Sequence, residues 1–559
     1  MGRVTSNASL WSLGRCAALA AACALLWVIS AAVIVRAMNQ SDGYLVYAVD
    51  DAYIHMAIAK HLAQSGVWGV TPYEFSSSAS SIAYPLLLAL TYRVAGVNEV
   101  SPLVLNLLFA TLVLVIVHVM LVLRRPAAPG RFSLLALVLL IVLAPLPAIL
   151  FSGMEHTLHL LMTLVFVFAA ARVLADQETS DAKVDPRWLL ALAPLLTMVR
   201  WEGSFAVAVA CALLLARGRW RFATALGMLG LAPLALYGAI SAAHGWYWLP
   251  NSVLLKGRVV APGSLSDVGA LLGTSFYREI SRTPQLVLLS TIALWIFVRR
   301  SRRHARPWET GQVLLALFLG TVALHLAFVG AVRWFYRHDA YVVALGIAVI
   351  AFAAYDVGPR AGTVFTRATW ASLPRYAAAI MLAAVLLAPI VPRGMVAFAQ
   401  RARSTLQVPR AMTNIYEQQY QMGLFVRQLY NGAGVAANDI GALNYLGDVR
   451  ILDLDGLASL PVARLKRRGE LGPGSIRALA EAQGTRIAVV YDQWFERDGM
   501  SVLPGEWIKA GRWTIRNKVS VWGETVTFYG TDARAAEQLR ANLARFAAQL
   551  PPSVDRWPP

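Results

Sequence analysis

Two adjacent carboxylates open the stretch VDDAYIHMAIAKHLAQSG, residues 49–66. Successive side chains on a helix point about 100° apart, so Asp50 and Asp51 cannot flank one bond together. One can face a cavity as general base or cation ligand while the other caps a helix or binds a cation. The competing explanation is local. A carboxylate at a helix start satisfies unpaired N–H groups and complements the dipole, and the pair would then cap the helix expected over 52–65.

Further charges recur in short polar gaps: Glu155 in SGMEH, Arg200 and Glu202 in VRWEGS, Asn251 and Lys256 in WLPNSVLLKG, and Arg333, Arg337, His338 and Asp339 in VRWFYRHD. Arginine offers phosphate oxygens a planar fork of donors and lysine a point charge. The same arginines can instead snorkel to lipid headgroups, and Glu155 and Glu202 can be plain loop residues. Trp246, Tyr247 and Trp248 match an interfacial aromatic belt, with substrate stacking as the other reading.

These charges sit in an apolar chain. Of 559 residues 58% are hydrophobic and only 14% charged, against about 25% charged in soluble domains. The composition is that of an integral membrane protein. The net charge of +19 would suggest nucleic acid in a soluble protein. Here the arginines cluster between apolar runs and carry topology, so nucleic-acid binding is excluded as a reading. Cys16, Cys23 and Cys211 lie inside apolar runs, with no metal-ligand spacing and no disulfide framework.

The run 16–35 has no charge and follows Arg3 and Arg15. It exceeds the apolar core of a signal peptide and reads as a retained first helix. Ten more runs follow, at 103–123, 132–151, 157–171, 188–199, 205–216, 222–243, 284–298, 312–332, 340–355 and 376–392. Several fall short of the roughly 20 residues a straight span needs. The segment 82–96, with Pro85 and a nine-residue apolar core, is decided by the arginines. If it does not span, Arg124/Arg125/Arg131, Arg217/Arg219/Arg221 and Arg299/Arg300/Arg302/Arg303/Arg306 all share the N-terminal side. The positive-inside rule prefers that arrangement, which makes 82–96 a half-buried interfacial helix. The expected architecture is a polytopic helical membrane protein of about eleven spans, with a cytoplasmic N-terminus and an external loop 37–102 carrying interfacial helices. The polar site residues then share the outer face, where charges of both signs suggest a site rather than a channel. Helix 52–65 places Ile54, Ile58 and Leu62 on one face, to pack on lipid or protein.

Residues 393–559 change character. VRILDLDG (449–456), TRIAVVYDQWF (485–495) and VSVWGETVTFYG (519–530) read as strands separated by helices, so a compact extracytoplasmic α/β domain follows a membrane domain over 1–392. The terminal PPSVDRWPP reads as loose.

In this order the motifs resemble those of the GT-C glycosyltransferases, which take sugars from polyprenyl phosphates. VDDAYIHMAIAKHLAQSG resembles DDAYI…A..L..G, SGMEHTLH resembles GMET, RWEG resembles RPEG, and WLPNSVLLKG resembles LPNTFYAK. NDIGALNYLGDVRILDLDGLAS, residues 438–459, resembles DIGAIGY…VIDLDGL. The chain is most similar to the terminal arabinofuranosyltransferase group of mycobacterial cell-wall synthesis and its bacterial relatives. Trp201 departs from the family proline, Ser252 from its threonine, and 74–84 is serine-rich where relatives show a GYTNP-like run. These departures bear on sugar and acceptor more than on class.

The resemblance implies a multi-pass glycosyltransferase of the bacterial inner (plasma) membrane, moving a sugar from a polyprenyl-phosphate donor to an envelope glycan or glycolipid. It implies Asp50 as base with Asp51 second, and Arg337, Lys256 and Arg200 at the phosphate. Asn251 and Glu155 would line the sugar or acceptor site, with Glu202 and His338 beside them. It leaves a divalent cation (Mg or Mn) and the stereochemistry open. Asp439, Asp453 and Asp455 are acceptor contacts or turn formers. A secondary transporter or lipid flippase is the alternative, with repeated halves as its signature; none is visible. A non-enzymatic assembly protein is a third reading.

Overall fold

The computed structural model describes residues 13–124, 130–175, 185–256, 278–303, 308–329, 334–354, 388, 390–497 and 500–558. Among them, five helices are long and apolar enough to cross a membrane: Gly14–Asn39, Val100–Leu123, His156–Leu174, Trp220–Ala243 and Thr310–Phe328. Four shorter apolar helices join them, Gly130–Leu143, Arg187–Val199, Gly203–Ala216 and Ala340–Ala354. The expected run 376–392 lies almost wholly outside the described residues. Large apolar side chains such as Trp27, Met228, Leu231 and Leu236 stay exposed on the bundle, as a lipid-facing surface requires.

Two expectations need correction. The run 132–151 is not one helix but two, Gly130–Leu143 and Leu146–Leu150. Pro145 and Pro147 break it, since proline lacks the N–H and crowds the preceding turn. The terminal segment is not loose: Asp555–Trp557 pairs antiparallel with a sheet strand.

Helix Asp51–Ser65 is not a span. Ala52, Tyr53, Ile54, His55, Met56, Ala57, Ile58 and Ala59 are all buried, packed between helix Ala83–Ala95 and a short helix of the sheet domain. Its apolar stripe therefore packs on protein. Gly66 ends it in the left-handed region, φ 73°, with its N–H bonded to the Leu62 carbonyl at 3.2 Å. Glycine adopts that conformation without a Cβ penalty. Helix Ala83–Ala95, thirteen residues long, matches the short element expected over 82–96.

Helix Ile390–Ile415 packs on helix Pro284–Arg303 and on Leu13–Asn39, and runs on through a π turn, Tyr416–Tyr420, into helix Gln421–Leu429. It straddles the domain boundary expected at 392/393. Beyond it stand strands β1 (Gly434–Ala437), β2 (Arg450–Asp453), β3 (Thr485–Val490), β4 (Glu496–Arg497), β5 (Met500–Ser501), β6 (Ile508–Thr514), β7 (Thr525–Gly530) and β8 (Asp555–Trp557). Six of these form one sheet in the order β2-β1-β3-β7-β6-β8, while β4 and β5 pair separately. β1 runs parallel to β2 and β3, and the other pairings are antiparallel. One sheet face, through Ile487, Val489 and Phe528, joins a core that continues into the bundle through Met412, Ile440 and Tyr53. The other face is covered by Val462, Ile476 and Trp507.

Candidate active site

The two aspartates diverge as helical geometry demands. Asp50 makes no side-chain cap to its own helix. It reaches the sheet domain instead: Gly441 donates its N–H to Oδ2 at 2.8 Å and Ala442 to Oδ1 at 2.8 Å. These are the first residues of helix Gly441–Leu446, between β1 and β2. Capping is thus right in kind, but the helix capped belongs to the other end of the chain. Gly441 permits the approach, since a Cβ there would collide with the Asp50 backbone oxygen and carboxylate. Burial and the neighbouring Asp439 push the Asp50 carboxyl up to about 8, against the pull of the two N–H donors.

Asp51 turns to Arg337. Arg337 Nη2 ion-pairs with Asp51 Oδ2, the carboxylate 27% exposed and the arginine 6%. Nε and Nη1 of Arg337 are buried and have no partner among the described residues. An orphaned buried donor costs its desolvation unless something accepts from it, so two N–H groups beside Asp51 await an acceptor. His338 follows Arg337, its ring edge-on to His156 at 5.7 Å between centroids. Burial and Arg337 hold its pKa well below the ordinary histidine range.

Glu155, Arg200 and Glu202 form one network. Arg200 donates to Glu202 from Nε at 3.0 Å and Nη2 at 2.8 Å, and to Glu155 from Nη1. The Ser80 hydroxyl, from the serine-rich loop, donates to Glu155 at 2.9 Å, and His55 lies 3.5 Å from the same carboxylate. Burial alone would raise the Glu155 carboxyl, but His55 and Arg200 hold it below its usual range. This network joins GMEH, RWEG and the external loop in one buried hydrogen-bonded unit.

Asn251 reaches the DLDG turn: its Nδ2 donates to the Gly456 carbonyl at 2.7 Å, and its backbone N–H to Ser77 at 2.9 Å. Its Oδ1 is buried and unpartnered among the described residues. Lys256 closes helix Asn251–Lys256, but its side chain lies outside the described residues, as does Arg333. Asp453 accepts the N–H groups of Asp455 and Ala458 at 2.9 and 2.6 Å, so it forms a turn. Asp455 pairs with Lys466. Asp439 accepts from Gln419 at 2.9 Å.

Sequence reasoning missed three contacts. Arg401 is fully buried and bidentate on Asp339, 2.9 Å in both arms, with Gln285 donating to the same carboxylate at 2.9 Å. The buried positions Phe398, Arg401, Ser404 and Val408, spaced three and four apart, were its only signal. Lys60 bonds Asp448 at 2.9 Å. His61 lies 3.7 Å from the same carboxylate. Together with Asp50, these tie helix Asp51–Ser65 to the sheet domain at both ends. Among the described residues no three His, Cys, Asp or Glu side chains gather as a cation cage, and the Asp51 carboxylate is met by an arginine.

Residues 413–529 match a family described as a domain of unknown function (DUF8728). No curated protein matches the chain. Among solved structures, the chain is similar to ArnT from Cupriavidus metallidurans bound to undecaprenyl phosphate, at 11% identity and a TM-score of 0.48, covering 92% of this chain and 99% of that one. It is similar to the oligosaccharyltransferase of Archaeoglobus fulgidus in complex with Zn and sulfate, at 12% identity and 0.46, covering 94% and 77%. It is also similar to arabinofuranosyltransferase AftD from Mycobacteria, at 14% identity and 0.42, covering 91% of this chain and 41% of that one.

Proposed function

We propose that the chain is a membrane glycosyltransferase of the GT-C type. It moves a sugar, arabinofuranose being the one the motifs favour, from a polyprenyl-phosphate donor to a glycan or glycolipid acceptor. The reading places this on the extracytoplasmic face of a bacterial plasma membrane, with the N-terminus cytoplasmic and the sheet domain outside, as the positive-inside rule prefers for the arginine clusters. Nucleotide sugars are made inside, and a lipid phosphate carrier supplies activated sugar beyond the bilayer.

The observation that carries the reading is the Asp51–Arg337 pair, a partly open carboxylate beside a guanidinium with two buried N–H groups that have no partner among the described residues. Transfer needs a base for the acceptor hydroxyl and cationic help for the departing phosphate. The acceptor hydroxyl oxygen forms the new bond to the anomeric carbon and gives its proton to Asp51. The bond from that carbon to the phosphate oxygen breaks, and its electron pair leaves on the lipid phosphate. The Nε–H and Nη1–H of Arg337 meet that growing charge.

We assign the base to Asp51 rather than Asp50, because both oxygens of Asp50 are engaged by backbone N–H groups. Asp50 then acts as a positioning residue that docks the sheet domain. Arg200, held by Glu155 and Glu202, shapes the pocket and leaves the phosphate to Arg337, His338 and Lys256. Asn251 offers a sugar hydroxyl its Oδ1, which has no partner among the described residues. The five motifs, scattered in sequence, support one another here: Asp50 bonds Gly441, Glu155 bonds Arg200, and Asn251 bonds Gly456.

The test is mass spectrometry of envelope glycans from cells with and without the gene. The reading expects one terminal sugar to vanish, to return with the wild-type gene and to stay absent with Asp51→Asn. Unchanged glycans in the deletion would overturn it.

A further inference from the structure

A concavity of about 550 Å³ opens where the bundle, helix Ile390–Ile415 and the sheet domain meet. That volume falls within the roughly 300–1,000 Å³ of small-molecule sites. One wall is the turn 334–336, three successive aromatic residues at φ 42°, 60° and 57°. Left-handed backbone is unfavourable for any residue with a Cβ, and three bulky ones in a row persist only where their surroundings fix them. The fixing is visible. The Arg401 guanidinium lies 4.6 Å from the centre of the Tyr336 ring, and Arg401 is anchored on Asp339. The turn leads straight into Arg337 of the reactive pair.

The facing wall is one stripe of a helix: Gln400, Arg403, Ser404 and Gln407, at the three- and four-residue spacing that aligns side chains. Gln400, Arg403 and Gln407 make no side-chain hydrogen bond or ion pair with any other described residue. The groove thus offers aromatic surface on one side and two primary amides, a hydroxyl and one guanidinium on the other.

We propose that this groove is a saccharide subsite that holds the acceptor glycan, an inference that rests on the glycosyl-transfer reading above. Each primary amide carries both donors and an acceptor, which suits the paired hydroxyls of a sugar ring, while Trp334 and Tyr336 supply a flat apolar face for its C–H side. A lipid-headgroup phosphate calls for several cations. Among the described residues the groove has a single cation beside neutral amides, and that balance favours a neutral saccharide.

The test uses the full-length protein in detergent and a panel of neutral di- to tetrasaccharides of arabinofuranose, galactose, glucose and mannose, with binding read by saturation-transfer NMR. Gln400 and Gln407 are exposed, so the double variant Gln400→Ala/Gln407→Ala should keep the wild-type melting temperature. It is expected to weaken binding of the preferred saccharide at least tenfold, and Arg403→Ala to weaken it severalfold. Absence of saccharide binding by the wild-type chain, or equal affinity in the double variant, overturns the assignment. So does a double variant that instead loses association with phosphatidylglycerol vesicles, which would mark a headgroup site. Failure of the transfer reading shows separately, as no product from a polyprenyl-phosphate sugar in the wild-type chain.

Discussion

The carboxylate of Asp50 accepts the backbone N–H of Gly441 at 2.8 Å, across 391 residues of chain. A residue at the start of the first polar loop thereby fixes the start of a helix in the sheet domain. Asp51, its neighbour, is left to face Arg337. The division of labour between the two aspartates follows from their 100° separation on the helix and from what each direction meets.

Gly441→Ala should undock this contact, because the added methyl collides with Asp50. Amide exchange over 438–446 is expected to speed up and sugar transfer to fall. Gly474→Ala is the control: a Cβ there meets nothing within 4 Å, and alanine suits a helix better than glycine. Exchange at 438–446 that matches wild type in Gly441→Ala would contradict the contact.

The pH dependence of stability has a definite sign. Asp50 is raised from 3.8 to about 8 in the folded chain, chiefly by burial and then by Asp439. Between those values the native state holds a proton that the unfolded chain has released. Its stabilising contribution is therefore full below about pH 4 and is lost as pH rises towards 8. Asp439→Asn removes the like charge and should flatten this decline. Melting temperatures of both chains across pH 4–9 decide it, and an unchanged slope would place the effect elsewhere.

Arg337→Lys keeps a charge beside Asp51 but loses the planar fork. Removing one donor that stabilises developing charge costs about 10²–10³ in turnover, so kcat should fall by roughly 10² with a smaller change in the donor KM. A lysine variant with wild-type kcat would remove the guanidinium from the leaving-group role.

The Arg401–Asp339 pair is fully buried on both sides. Removing one partner strands a charge and costs about 3–5 kcal/mol, whereas replacing both with apolar residues is far milder. Arg401→Met should therefore lower the melting temperature more than Arg401→Met/Asp339→Leu. The reverse order would show that the pair is not the anchor of the turn 334–336.

Local patterns made the helices legible. Run 222–243 became Trp220–Ala243, and run 188–199 became Arg187–Val199, because apolar length and flanking charge are local properties. The missed features were non-local. Nothing near Asp50 says that its cap lies at Gly441, and Lys60 shows no sign of Asp448. Arg401 sits in a segment, RARSTLQVPR, that shows no sign of Asp339. The terminal PPSVDRWPP looked loose because proline flanks it, yet β6 offers Asp555–Trp557 an open edge. The candidate residues were named one by one from their chemistry, but their pairing depended on contacts that only the fold brings together.

The account rests on Asp51 as the base opposite Arg337, and one measurement addresses it directly. Purified wild-type chain and Asp51→Asn would each receive a labelled polyprenyl-phosphate arabinofuranose donor and an envelope-glycan acceptor, with released polyprenyl phosphate and glycosylated product counted together. The account predicts equal amounts of both products from wild type and at least a 10³-fold loss in a folded Asp51→Asn chain. Turnover by Asp51→Asn at the wild-type rate would contradict it.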